Sequence, residues 1–173
     1  QPSPARPSEN AIWIGTAGAG GAKTSYYRTR AEAEAALVRV IQEPKGRLLI
    51  GFDFPMGYPP GFAAKLTGQP HAQAAWSWLA ARIEDGPKNR NNRFAIADQI
   101  NASFGKGPFW GRPGNLALTH LPEKKTVDYP SLDLQERRQV ETLVPRAQPV
   151  WKLYTTGAAG SQGLMGQPMI HRL

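Results

Sequence analysis

The stretch Arg47-Leu-Leu-Ile-Gly-Phe-Asp-Phe-Pro-Met-Gly-Tyr-Pro-Pro-Gly61 decides how the rest of the chain is read. Leu48, Leu49, Ile50 and Phe52 form an apolar run too short for a core helix, and they predict a buried β-strand. Asp53 stands where that strand ends, and Pro55, Gly57, Pro59, Pro60 and Gly61 keep it from continuing. Ligands of open α/β sheets bind beyond the carboxyl ends of strands, so Asp53 is the first candidate site residue.

Working outward toward the amino end, residues 1–10 are rich in Pro and Ser and predict an arm. Ile-Trp-Ile at 12–14 and Ser-Tyr-Tyr at 25–27 are β-rich runs. The Gly/Ala-rich stretch between them, residues 16–23, makes an antiparallel hairpin the simplest reading. That stretch is not a phosphate loop: Ala22 separates the last glycine from Lys23, and a strand rather than a helix follows. Thr29 and Glu32 have capping-box spacing and open a helix that Pro44 ends. Its apolar stripe is Ala33, Ala36, Leu37, Val40 and Ile41, which suits packing on a sheet.

Toward the carboxyl end, helices are expected near residues 62–66, 71–84, 92–104 and 132–143, a loop at 105–115 and a strand at 150–154. A last helix opens near Ser161, and Pro168 is expected to shorten or kink it. With no internal repeat and no clear linker, the expectation is one α/β domain over residues 1–173, with a helical insertion after the Asp53 strand. The chain begins at Gln1 and stops at Leu173 just after a helix-like segment, so truncation at one or both ends is expected.

The sequence has 173 residues, 18 Gly, 16 Pro and no Cys. Lacking cysteine, it has no disulfides, thiolate metal sites or Cys nucleophiles. No run approaches the roughly 18 apolar residues needed to cross a bilayer, and no signal peptide is visible. The expectation is a cytoplasmic protein with no membrane partner. Lys+Arg number 21 against 13 Asp+Glu, a formal charge of +8. That balance favours an anionic partner, whether nucleotide, nucleic acid or phosphorylated metabolite, although a basic surface also serves solubility alone.

The second candidate site is the strand-loop-helix unit at residues 151–164. A Gly-rich turn before a helix N-terminus exposes backbone N–H groups where the helix dipole favours an anion. Thr155, Thr156 and Ser161 would add hydroxyls, Gly157 a close approach and Lys152 a charge. The competing reading is structural: the glycines turn the chain and Ser161 caps the helix. Arg93 ends a cluster of three cations and three amides at residues 88–93, a phosphate clamp or a solvated turn. Asn101 faces either a site or solvent on the helix that follows. Phe109 and Trp110 either stack on a ring or pack on the core. His71, His120 and His171 lack ligand spacing for zinc, and no serine lies in a nucleophile elbow.

Ile50-Gly-Phe-Asp-Phe-Pro-Met-Gly57, after a hairpin and a helix, resembles the Asp-x-Pro-x-Gly element of a bacterial family of uncharacterised proteins. Asn-Arg-Phe at 92–94, Gly-Pro-Phe-Trp-Gly at 107–111 and Lys-Leu-Tyr-Thr-Thr-Gly at 152–157 are similar to it too. That family has a predicted ribonuclease H-like fold, and some members are labelled as related to cobalamin or molybdopterin biosynthesis. The resemblance implies a mixed sheet with flanking helices and a carboxylate cluster holding Mg or Mn for phosphoryl or phosphodiester chemistry, as in a nuclease. Asp53 is the one ligand and catalytic position carried over. The chain departs from the pattern because residues 1–7 hold no Asp-bearing strand and no acid follows Tyr154. Two other readings stand beside the nuclease-like one: a non-catalytic nucleotide- or nucleic-acid-binding module, and an accessory protein in cofactor biosynthesis.

Overall fold

The computed structural model describes residues 11–43, 46–144 and 146–173. The expected arm at residues 1–10 and the helix-stopping Pro44 lie outside the described residues. The fold is mixed α/β, with one two-stranded antiparallel sheet and six α-helices among the described residues. The ribonuclease H-like sheet expected from the resemblance is larger than these two strands. Contacts group the chain into two compact units, one of residues 1–51, 84–91 and 173, the other of residues 52–83 and 92–172.

In the first unit, β1 (Ile12–Gly18) pairs with β2 (Gly21–Tyr27). Gly18 faces Gly21 in register, so the turn is only Ala19 and Gly20, and Gly21 has φ +97°. The strands thus run further into the Gly/Ala stretch than its composition suggests, because a glycine with positive φ fits a two-residue hairpin. Trp13 and Tyr26 are cross-strand partners with ring centroids 5.4 Å apart. Helix α1 (Arg30–Gln42) follows, and the Thr29 hydroxyl accepts from the Glu32 amide as the capping pattern requires. The Glu32 carboxylate accepts from the amide of Arg28, completing a reciprocal cap one residue further out than the standard box. Ala33, Ala36 and Leu37 are buried where α1 packs on the hairpin.

Arg30 is the buried exception on that face. Its guanidinium pairs with Asp85, and Nη2 also donates to the Asn89 carbonyl at 3.0 Å. The Asn89 side chain returns two bonds, accepting from the Arg30 amide and donating to the Arg28 carbonyl. The turn at residues 86–91 is thereby tied to the start of α1, with Lys88 and Asn89 both at positive φ.

The expected strand at residues 48–52 does not form. Residues 47–52 lie outside any strand, with Leu48 54% and Leu49 95% exposed. An apolar run becomes a strand only when a neighbour completes its ladder, and among the described residues none does.

The second unit is helical. It contains α2 (Phe62–Thr67), α3 (Ala72–Ala80), α4 (Arg93–Phe104), α5 (Gln139–Leu143) and α6 (Gly160–Arg172). Helix α3 is shorter than the expected 71–84. The helix expected at 132–143 is broken: a 3-10 turn at Pro130–Leu132 ends on Asp133 at φ +49°, and only α5 is helical. The strand expected at 150–154 is a single parallel bridge, Trp110 to Lys152. Helix α6 runs through Pro168 to Arg172, with residues 163–168 buried, so packing maintains it where a proline removes one backbone donor.

Trp151 is the centre of this unit's core. Its fully buried ring stacks on Tyr58 at 5.2 Å and meets Phe62 and Phe109 edgewise at 5.2 and 5.4 Å. Its indole N–H donates to the Gln135 carbonyl. Leu79, Ile96, Ile100 and Leu164 close the core from α3, α4 and α6.

Candidate functional site

The Asp-x-Pro-x-Gly element lies directly on α6. A Cβ at Gly163 would meet the Pro55 carbonyl oxygen at 3.2 Å, and one at Gly166 would fall 2.6 Å from a ring carbon of Phe54. These glycines give the helix a bare face on which residues 54–55 rest. Gln167, one residue on and fully buried, donates from Nε2 to the Pro55 carbonyl at 3.0 Å. The Trp76 indole N–H holds the Met56 carbonyl at 2.7 Å from the other direction.

Asp53 itself is exposed. Among the described residues no group of three or more His, Asp or Glu side chains gathers as a metal centre would require, and Asp53 belongs to none. A two-metal site needs several hard oxygen ligands to balance its charge. The described residues offer Asp53 no such set for Mg or Mn.

The loop after Trp151 is built differently from an open anion cradle. Gly160 is glycine for packing, since a Cβ there would sit 2.6 Å from the Lys152 carbonyl oxygen and closer still to that of Val150. Its amide donates to the Lys152 carbonyl, and the Ala158 amide donates to Thr155. Lys152 bends back on its own loop, with Nζ 2.8 Å from the Thr156 carbonyl and 3.3 Å from Gln148 Oε1. Thr155 and Thr156 are exposed, and Thr155 has φ +75°, an outlying conformation for a β-branched residue. Gly157 is at φ +77°, where glycine alone is unstrained.

Ser161 does not cap α6. It lies inside the first turn, buried, and its hydroxyl donates to the Leu153 carbonyl at 2.6 Å. The same oxygen accepts from Nε of Arg93 at 3.0 Å. Arg93 occupies the first turn of α4, and its guanidinium also lies 4.1 Å over the Phe94 ring. Two predicted site residues, 68 positions apart in sequence, are thus brought together at the N-termini of α4 and α6. Neither first turn contains an acidic residue. Among the described residues, the amides of Ser161 and Gln162 have no backbone acceptor.

Asn101 is placed elsewhere. It is fully buried, and its side chain donates to the carbonyls of Phe109 and His120 and accepts from the Phe109 amide, at 2.8, 2.9 and 2.9 Å. All of this amide's bonding goes to holding the 105–121 loop. Asp98 assists on the same helix, accepting from the amides of His120 and Leu121. Phe109 is a core residue, as the packing reading has it.

Sequence reasoning passed over Tyr58 and Gln167. The signal for Gln167 was a lone amide between Gly166 and Pro168 on an otherwise apolar stretch. No protein-family model matches this chain, and no curated protein or solved structure matches it either. No helix among the described residues is long and apolar enough to cross a membrane.

Proposed function

We propose that this chain is a binding module for a phosphate-bearing anion, held where the N-termini of α4 and α6 meet. The observation that carries the reading is the hydrogen bond from Arg93 Nε to Ser161 Oγ. It holds a guanidinium beside two helix N-termini, each bearing partial positive charge, and neither first turn contains an acidic residue. Such a cluster is favourable when an anion completes it.

Two further features support this reading. The amides of Ser161 and Gln162 are the α6 donors left for a ligand, and the strained Thr155 lies on the loop leading to them. The formal charge of +8 would draw nucleotides or nucleic acid toward such a site. Lys152 braces the loop from within rather than serving as a ligand. Binding is favoured over nuclease-like turnover because Asp53, the one catalytic candidate, stands in no group of potential metal ligands among the described residues.

The test is a titration of the protein with inorganic phosphate followed by amide NMR. Shifts centred on Ser161 and Gln162, weakened by added salt and about tenfold by Arg93→Gln, are expected. Shifts confined to residues 88–90, or no shifts, would overturn the proposal.

A further inference from the structure

Tyr154 stands directly before the loop that leads into α6, and 49% of its surface is exposed. A single exposed ring is ordinary on a protein surface. Tyr154 differs because its place is fixed by its neighbours and because those neighbours belong to the anion site. The amide of Leu153, the residue before it, donates to the Trp110 carbonyl at 2.9 Å. The Leu153 carbonyl accepts from the Ser161 hydroxyl at 2.6 Å. A Cβ at Gly111 would lie 2.9 Å from the Tyr154 amide nitrogen, so the backbone of residue 111 packs directly against it. The Tyr154 ring itself meets Phe94 at right angles, with centroids 6.4 Å apart.

Two short routes join this ring to the Arg93 guanidinium. One runs through Ser161, whose hydroxyl oxygen accepts from Arg93 Nε and donates to the residue preceding Tyr154. The other runs through Phe94, with Arg93 4.1 Å over its ring and Tyr154 against it. A half-exposed aromatic ring and a cation are thus held as close neighbours in the second unit, and no acid follows Tyr154 in the sequence.

A bare phosphate would use the guanidinium and the helix amides and leave the ring in water. A nucleotide would use both, because it carries a flat apolar base a short distance from its phosphate. Stacking that base on Tyr154 removes apolar surface from water on both partners and adds ring attraction. The ring is already held in place, so little ordering opposes the contact.

We infer that the ligand is a nucleotide, its phosphate held at Arg93 and the amides of Ser161 and Gln162 and its base stacked on Tyr154. This rests on the anion site proposed above and names the class of ligand that site takes. The unit recognised, one phosphate with one base, occurs in a free mononucleotide and at the 5′ end of a single strand.

The test titrates the full chain with inorganic phosphate, ribose 5-phosphate and adenosine 5′-monophosphate, following the Ser161 amide and the Tyr154 ring protons by NMR. All three should shift Ser161. The mononucleotide should bind at least about fivefold more tightly than ribose 5-phosphate and move the Tyr154 ring protons upfield. Tyr154→Leu should remove that advantage, and Tyr154→Trp should restore it. A 5′-phosphorylated adenine tetranucleotide separates the two sources: tighter binding than the mononucleotide points to a strand end, equal binding to a free nucleotide, and both keep the stacked base. Equal affinity for ribose 5-phosphate and the mononucleotide, with Ser161 shifting in both, would overturn this inference and leave the anion site standing. Tighter binding with the Tyr154 ring unmoved would do the same. No shift at Ser161 from any of the three would overturn the anion site and this inference together. The ligand comparison uses the unmodified protein and stands even if a variant fails to fold.

Discussion

Gly160 lies against the carbonyl oxygen of Val150 so closely that no side chain fits between them, and its own amide donates to the Lys152 carbonyl. Both obstructing groups are backbone, so they cannot rotate away. Gly160→Ala should destabilise the fold by about 3 kcal/mol through overpacking, seen as a lower denaturant midpoint at unchanged slope. A fall below about 1 kcal/mol would show that the turn yields more easily than its geometry indicates.

Asn101 provides a contrasting case. Replacing it with Ala would leave the Phe109 amide and carbonyl unpaired in the core and remove the half-buried bond to the His120 carbonyl. The expected loss is about 2–3 kcal/mol in chemical denaturation, with no specific change at the Ser161 amide when phosphate is added to the folded variant. A selective loss of phosphate response at native stability would return Asn101 to the binding site.

In the first unit, Asp85→Asn should remove the charge that pairs with Arg30. The carboxylate keeps 25% side-chain exposure, so the expected cost is about 2 kcal/mol, below that of a fully buried pair. Arg30→Lys should also destabilise, because a lysine cannot bridge Asp85 and the Asn89 carbonyl with one planar fork. Thermal unfolding monitored by circular dichroism reads both.

Alkaline titration tests the two enclosed phenols. Burial raises the pKa of Tyr58 and Tyr129 above the ordinary value of 10.0. Below pH 10 both are protonated, folded or unfolded, and they add no pH dependence. Above it the unfolded chain gives up these protons and the folded chain retains them, so stability should fall as pH rises past 10. Near-UV phenolate absorbance should appear for these two tyrosines only with unfolding. Full phenolate absorbance from all five tyrosines, while the far-UV spectrum stays native, would contradict their enclosure.

The parts of this fold legible in the sequence are those that short-range chemistry dictates. Thr29 and Glu32 announce α1 because a cap acts within four residues, and the β-rich runs at 12–14 and 25–27 announce a hairpin, although its strands continue to Gly18 and from Gly21 through a stretch whose composition reads as loop. Leu48, Leu49 and Ile50 have a strand's composition, but a strand needs a partner and composition does not supply one. The helix expected over 132–143 ignored Asp133, whose positive φ breaks it. Arg93 and Ser161 were each visible as candidates, yet their meeting depends on how α4 and α6 pack. The resemblance picked out Asp53, while the structure shows the surrounding element seated through Phe54, Pro55 and Met56.

The exposed pair Leu48 and Leu49 has a consequence for the protein in bulk. Leu49 presents nearly its whole side chain to water and has no ladder partner among the described residues, so this apolar β-prone run is open to pairing with another chain. The behaviour of concentrated solutions should therefore depend on this one segment more than on net charge, since a formal charge of +8 already keeps molecules apart at long range. Leu49→Lys should raise the concentration at which light scattering first climbs, with the unfolding midpoint unchanged. An unchanged scattering threshold would place the limit on solubility elsewhere.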